Sequence, residues 1–525
     1  MGAGLAGIMA ALQIKDKQVI LASNSCIASG SSFYPGTWGL GVVGPDGEDD
    51  EEDMEKTINL IGCDMADPLL VHTLVTSITK QIHTLQKLDL PLKQAVSSDQ
   101  KEFIPCFDHK QRNWNGLLTQ SSRTILQHHL EKNHIVQLLY HEVVDIIMKD
   151  QAVCGVVVLD SHHELCYIGC KSIIIASGGF GGLFQYRLNT SDVSAMGQYL
   201  ALKCGASLIN IEFHQMMTGF LSPARATIYN EKFYEYTSFT HRNSPIFTGC
   251  HEKELLKQRS TYGPFTSRLA SRDIDITLYK IFREDHKGVT IHHDPSLRYC
   301  NIEFIQTYRT WLEEEKHIRI EDEIQIGTFY HAANGGIRID ESASTGIAGL
   351  YACGEVSGGM HGADRLGGVA SANALVFGSI AGEQAAAYAS SCKSTAAEII
   401  EYDDICYEEA AIHLEEVRAI LFQNVMVVRT EEGLQTAYQK LKEIEQNLVP
   451  CKSQDISNPV ASYHLRASLL LGKAMITACL MRRESRGSHY REDYPHGDPT
   501  MNSPIIVSGF DKLQLQFQDK KVGAL

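Results

Sequence analysis

The chain opens MGAGLAGIMAALQIKDKQVILAS, and no other stretch narrows its folding options as far. Gly2, Gly4 and Gly7 form G-x-G-x-x-G, a helix-like IMAALQI follows, and QVILA then reads as a strand. This is the order of a dinucleotide-binding unit, in which two glycines let backbone approach a pyrophosphate and the third lets the helix pack closely on a sheet. The strand that normally leads into the glycines has no counterpart, because only Met1 precedes Gly2. Two explanations stay open: a misplaced start codon, or a fold lacking its central strand, which would weaken cofactor binding.

The rest of the chain is compatible with a large α/β protein. Its 525 residues, 44% hydrophobic and 21% charged, can bury sizeable cores, and the length suggests about two to four domains. A net charge of -16 opposes binding to nucleic acid or anionic lipid. The 14 cysteines include no C-x-x-C pair and no export signal is visible, so reduced thiols in a cytoplasmic protein are expected. The spacing of Cys166 and Cys170 alone does not make a metal site, and no iron–sulfur ligand set or other metal centre is expected. No apolar run reaches about 18 residues, so no membrane insertion is expected.

Further glycine-rich turns extend the first motif. After QVILA, Ser23-Asn24-Ser25 stands where an acid for a nucleotide ribose is usual, which disfavours a nicotinamide site and leaves one using hydroxyl and amide partners. The loop GSSFYPGTWGLGVVGPDG suits either a flat ring lying over backbone or an ordinary surface turn. CKSIIIASGGFGG ends an apolar strand at Gly178 and Gly179, where backbone can again reach a phosphate. Helical spacing covers residues 68–90 and 123–134, and short β-like runs begin at 135. The acidic run Glu48 to Asp53 reads as a solvated boundary.

Residues 213–330 differ in texture, being rich in aromatic and charged side chains, and read as a domain inserted between two halves of the nucleotide domain. Within them ASRD carries Arg272, which could face a cleft, with Arg268 nearby as an exposed or paired residue. The first domain's style returns in TFYHAANGGI, with His331, and in LYACGEVSGG, where Glu355 ends a strand and can accept hydrogen bonds from a ribose. A helix beginning near residue 370 can aim its amides at a phosphate or a ring carbonyl. Just before it, HGADRLGG places Arg365 at the threshold of a small-residue helix, a costly position unless an anion meets it. From 400 onward the pattern is mainly helical, ESRGSHYREDYP reads as packing, and IVSGFDKLQLQFQDK alternates like an edge strand.

Together GAGLAG, SGGFGG, HAANGGI, YACGEVSGGMHGADRLGG and RRESRGSHYREDYP resemble the flavoprotein family of succinate dehydrogenase, fumarate reductase and L-aspartate oxidase, from residue 1 to roughly 500. The resemblance implies an α/β fold: a two-part FAD-binding Rossmann-like domain (1–212 and 331–395), an inserted α+β capping domain (213–330) and a C-terminal, mainly helical domain (396–525). It implies FAD held by Gly2, Gly4, Gly7, Ser23, Gly178, Gly179, Glu355, Ser371 and Leu375, with Arg272 transferring a proton and His331 and Arg365 gripping substrate carboxylates. The implied reaction is fumarate/succinate interconversion on a small dicarboxylate. L-Aspartate oxidation, or a flavin-binding subunit or pseudoenzyme without turnover, is the alternative. The electron donor or acceptor is unidentified, a separate iron–sulfur protein being one candidate.

Two departures stand out. The family's histidine after E-F-x-Q-x is Met217 in EFHQMM, and a thioether cannot donate to a carboxylate unless His214 or His241 takes over. Strand alternation sets His214 on the face opposite Gln215. The glutamate and glycine-rich capping signature is not recognisable in ARATIYNEKFYEYTSFTHRNSPIF, and no histidine lies between Gly2 and Cys63, so FAD is expected to be noncovalent.

Overall fold

The computed structural model describes residues 1–94, 110, 112–392, 402 and 405–518. The opening segment folds as its pattern predicts, into the helix Leu5–Gln13 followed by the strand Ile20–Ser23. Residues Leu5 to Leu12 of that helix are all buried, so it is a core helix with no solvated face. It crosses the long helix Val369–Ser391, where added Cβ atoms at Gly378 and Gly382 would come within 2.8 Å of the Ala6 carbonyl and 2.3 Å of the Ala10 carbonyl. The small-residue run after Arg365 is therefore the surface that lets two helix backbones approach.

Two parallel strand pairs flank this helix pair. Ile20–Ser23 pairs with Val136–Leu139, and Ile173–Ile175 pairs with Leu350–Ala352. Met1 and Gly2 join the two pairs through three hydrogen bonds: Gly2 N–H to the Ala22 carbonyl (2.7 Å), Ala176 N–H to the Met1 carbonyl (2.8 Å) and the Met1 ammonium to the Ile174 carbonyl (3.0 Å). The first glycine thus sits at the C-terminal ends of two strands, one from each parallel pair, where such folds place their ligands.

A second core lies between Phe220 and Ile326, built from Phe220, Tyr229, Phe233, Ile291, Tyr308 and neighbours. Its five-stranded antiparallel sheet runs His214–Ser222, Ile324–Ala333, Val289–His293, Thr237–His241, Ser244–Ile246. The helices Arg272–Asp285 and Glu303–Glu315 contribute Ile274, Leu278, Ile305, Tyr308 and Leu312 to this core. In the pairing of His214–Ser222 with Ile324–Ala333, Gln215 faces Ala332 and Met216 faces Tyr330. His331 is the extra residue of this β-bulge, a device that re-aims a side chain out of the regular alternation.

The C-terminal region packs helices Ala410–Val425, Glu431–Gln446 and Pro459–Met481 together. Among the described residues only Pro459–Met481 is long and apolar enough to cross a membrane, and 61% of its most apolar window is buried inside the fold. The alternating tail forms the strand Gln514–Phe517 at the edge of a sheet, beside Ile505–Ser508. The expected boundary at 395/396 lies outside the described residues.

Candidate active site

One cavity of ≈ 570 Å³ runs between these parts and collects most of the singled-out residues. Gly2, Ala3, Gly4, Ser23, Asn24, Ser177 and Gly178 line it from the strand ends. Gly2 adopts φ +104°, and a Cβ there would stand 2.3 Å from the Ala176 carbonyl, so no other residue fits the turn. The loop that follows contributes Gly30, Ser31, Tyr34, Trp38, Gly39 and Gly41 to the same wall. From the other half come Glu355, His361, Arg365, Gly367, Gly368, Ala370, Ser371, Asn373 and Ala374, the last five at the N-terminus of Val369–Ser391.

Four of the expected residues stand off the cavity wall. Gly7 does not line the cavity: a Cβ there would be 1.9 Å from the Gly2 carbonyl, so this glycine closes the helix onto the turn. Gly179 faces the Glu355 carboxylate, which would meet its Cβ at 2.2 Å, and it too is absent from the wall. Leu375 points into the core, since one helix face carries Ser371 and Ala374 and the next residue is rotated about 100° from it. Arg272 caps its own helix region, donating to the carbonyls of Ser267 (2.9 Å) and Pro495 (3.3 Å) and lying over the Tyr490 ring, outside the cavity wall. Ser23, Gly178, Glu355, Ser371, His331 and Arg365 do line the cavity.

Buried polar atoms without a hydrogen-bond partner in the protein concentrate here: Ser31 Oγ, Ser177 Oγ, Asp192 Oδ1, Gln215 Nε2, His331 Nδ1, His361 Nδ1 and Asn373 Oδ1 all belong to lining residues. Orphaned buried groups are rare in native folds, so this concentration on one cavity points to a polar ligand that satisfies them. Together with the glycine turn and the helix N-terminus, this donor and acceptor set fits a dinucleotide such as FAD.

The sequence offered no acid after the strand Ile20–Ser23, yet the tertiary structure supplies one. Glu142 lines the cavity and accepts a 2.7 Å hydrogen bond from Asn24 Nδ2. It comes from a separate strand, Glu142–Lys149, so a spacing rule counted from the glycines could not find it. Glu231 is the second acid missed. It lines the cavity, and burial raises its pKa above the ordinary glutamate value.

At the substrate-facing part, Arg365 Nη2 donates to Gln215 Oε1 at 2.6 Å, and the bulge brings His331 to the same wall. Burial, seconded by the Arg365 charge, lowers the His331 pKa to about 3, so its imidazole is neutral near pH 7. Met217 lines the cavity without a histidine substitute. His214 turns away as alternation predicts, donating from Nε2 to the Val425 carbonyl (3.1 Å) and packing on Phe184. His241 bonds the Gly288 carbonyl at 3.4 Å. Arg268, four residues before Arg272, pairs instead with buried Asp364 (3.3 Å).

The segment carrying Arg486, His489 and Arg491 closes on other residues of the fold. Arg482 bonds Glu212 (2.8 Å) and Glu484 (2.9 Å), Arg486 bonds Glu484, and Arg491 bonds Glu431 and Asp493. The described residues contain no cluster of three or more His, Cys, Asp or Glu able to hold a metal ion.

Two family models match the chain: an FAD binding domain over residues 1–230 and 268–371, and the fumarate reductase flavoprotein C-terminal region over 414–517. The chain is 26% identical to a CoM/CoB fumarate reductase chain of Methanothermobacter marburgensis, covering 98% of this chain and 97% of that one. It is 26% identical to an L-aspartate oxidase of Saccharolobus solfataricus over 94% and 96% of the two chains. A variant of E. coli quinol fumarate reductase superposes with a TM-score of 0.81 at 22% identity, over 100% of this chain and 96% of that one, which is a likeness of fold.

Proposed function

The chain belongs to the FAD-dependent succinate dehydrogenase and fumarate reductase flavoprotein family, which includes L-aspartate oxidases, and is an FAD-dependent oxidoreductase; from that premise we propose that it interconverts a small dicarboxylate, or a related acid, and its unsaturated form. Fumarate and succinate, as small dicarboxylates, are the reference pair. The observation that carries the reading is the corner where Arg365, set by Gln215, and bulged His331 face one cavity.

Bound noncovalently, FAD supplies hydride exchange with a substrate carbon. The chain's own residues do the rest. The Arg365 guanidinium and an N–H of neutral His331 receive a carboxylate, fix the adjacent carbons and stabilise charge that develops toward that carboxylate. Gln215 holds one edge of the guanidinium so that it does not have to be ordered when the ligand arrives. Arg272 remains the proposed proton-transfer residue. With a free pKa above about 12 an arginine is a poor acid in water, and its guanidinium must first leave the Ser267 and Pro495 carbonyls to reach the cavity. The electron partner in this reading is a separate protein, with an iron–sulfur carrier as the candidate class.

The test is anaerobic. The purified protein's flavin is reduced, fumarate is added, and recovery of oxidised-flavin absorbance is followed. Fast recovery that slows about 100-fold or more in Arg365→Met, with FAD retained, supports the reading, since two charge-assisted hydrogen bonds are each worth about 1.5–3 kcal/mol. No recovery with fumarate, together with flavin reduction by L-aspartate, moves the assignment to the second reading, which the Saccharolobus relative supports. Retained flavin that responds to neither acid leaves a flavin-binding protein without this turnover.

A further inference from the structure

The far side of the carboxylate corner is built for a different chemical group. Residues following Ala226 lie along the strand His214–Ser222: Gly219 bridges Ile228, and Tyr229 N–H donates to the Thr218 carbonyl at 3.0 Å. At Asn230 the chain turns into the short helix Glu231–Tyr236, whose Tyr234 hydroxyl bonds Thr218 Oγ1 at 2.6 Å and so holds this helix against the strand next to Met217, and both Glu231 and Met217 line the cavity. Phe265 N–H donates to the Met216 carbonyl (2.8 Å), which draws Pro264 onto the same wall. Gln215, the partner of Arg365, and Met217 are two residues apart on one strand, about 7 Å, which matches the length of a four-carbon acid.

Charge decides what this far side accepts. The other lining cations, Lys93 and Arg112, are paired with Glu303 and with Asp50 and Asp53. Arg259, whose charge acts on Glu231, is committed to Asp275 (2.8 Å) and the Tyr262 carbonyl (2.6 Å). Lys232, the other charge acting on Glu231, lies over the Phe304 ring. The far wall therefore offers a thioether, apolar Ile228 and Pro264, and one buried carboxyl. A second substrate carboxylate would find no donor at Met217 and, wherever Glu231 is ionised, a like charge there, a repulsion of about 1–4 kcal/mol at 4 Å for effective dielectrics between water and a protein surface. A carboxamide N–H is accepted by Glu231 in either protonation state, because a carboxyl always keeps acceptor lone pairs.

We propose that the preferred substrate is a short acid with one carboxylate, seated at Arg365 and His331, and an uncharged N–H donor such as a carboxamide at its other end, read by Glu231 and Met217. This rests on the carbon–carbon redox reading above and narrows its substrate class. The half-amide of fumarate takes up the same hydride and proton across its double bond as fumarate does, so only recognition of the far end differs.

The experiment uses the FAD-loaded protein in two assays. Reoxidation of anaerobically reduced flavin is measured with fumarate, its monoamide and crotonate, and binding of succinate and its monoamide is measured by calorimetry. The expected result is a kcat/KM for the monoamide at least 10-fold above that for fumarate, with the same order in binding. Glu231→Gln should shrink that ratio and Met217→His should shift it toward fumarate. Equal or better use of fumarate by the unaltered protein overturns the proposal, as does a ratio indifferent to both substitutions, while the carbon–carbon reading survives. If no acceptor reoxidises the flavin but the succinate monoamide binds more tightly than succinate, the carbon–carbon reading fails and the ligand class stands. If neither saturated acid binds and no acceptor reacts, both fall.

Discussion

Replacing His331 with Asn tests the electrostatic state of the carboxylate corner directly. In the folded protein burial and Arg365 hold this histidine at a pKa of about 3, against about 6.5 in the unfolded chain. The folded pKa is depressed, so between these values the unfolded state binds more protons and stability falls as pH falls. From pH 7.5 to 5.5 the unfolded histidine goes from about one-tenth to nine-tenths protonated, while the folded one stays neutral. The resulting loss is about 1.4 kcal/mol, at about 1.36 kcal/mol per fully engaged pH unit. His214, His361 and His489 are lowered well below their ordinary value by burial first, and His293 to about 4, so they push in the same direction. Asp364, raised to about 7 by burial, pushes the opposite way across this range. These groups cancel when the protein and His331→Asn are compared by urea denaturation at both pH values. The stability difference between them should move by about 1.4 kcal/mol in favour of the variant at pH 5.5. A movement below about 0.5 kcal/mol, the ordinary scatter of additivity, would refute a buried neutral imidazole at this position.

The glycine turn and the buried ion network give further expectations. Gly7→Ala, whose new Cβ would sit 1.9 Å from the Gly2 carbonyl, should destabilise the fold by about 1–3 kcal/mol and lower the flavin-to-protein absorbance ratio. Gly4→Ala, with its nearest neighbour at 3.5 Å, should leave melting temperature nearly unchanged. Glu212→Gln removes one of the two carboxylate charges paired with fully buried Arg482, which keeps Glu484, and should cost about 1–3 kcal/mol in chemical denaturation. Arg272→Ala should slow reoxidation by fumarate while leaving the calorimetric affinity for a saturated acid within about threefold, since the guanidinium lies outside the cavity wall.

Much of the fold was legible because it depends on local rules. A glycine needing positive φ, an apolar helix, β-like runs ending in Gly-Gly and a small-residue helix each leave a mark within a few residues, and each appears where its mark predicts. The carboxylate corner was half legible. His331 and Arg365 were found by resemblance, but the reason His331 faces the cavity is a bulge between two strands about 110 residues apart in sequence, with no signature in either. Leu375 lies one helical step from the cavity-lining Ala374, and the direction of the Arg272 side chain depends on Pro495 and Tyr490, which no local spacing encodes.

Local sequence was enough to establish that the backbone would turn tightly at Gly2, that an arginine would stand at a helix threshold, and that Met217 could not donate a hydrogen bond. These are properties of single residues and short spacings. Which distant acids join them was settled by the assembled sheets. Glu142 reaches the cavity because its strand follows the partner of Ile20–Ser23, and Glu231 because residues 226–229 are bonded along His214–Ser222. Charge at the site is a sum over neighbours in space, and chain order does not encode that sum until the sheets are in place.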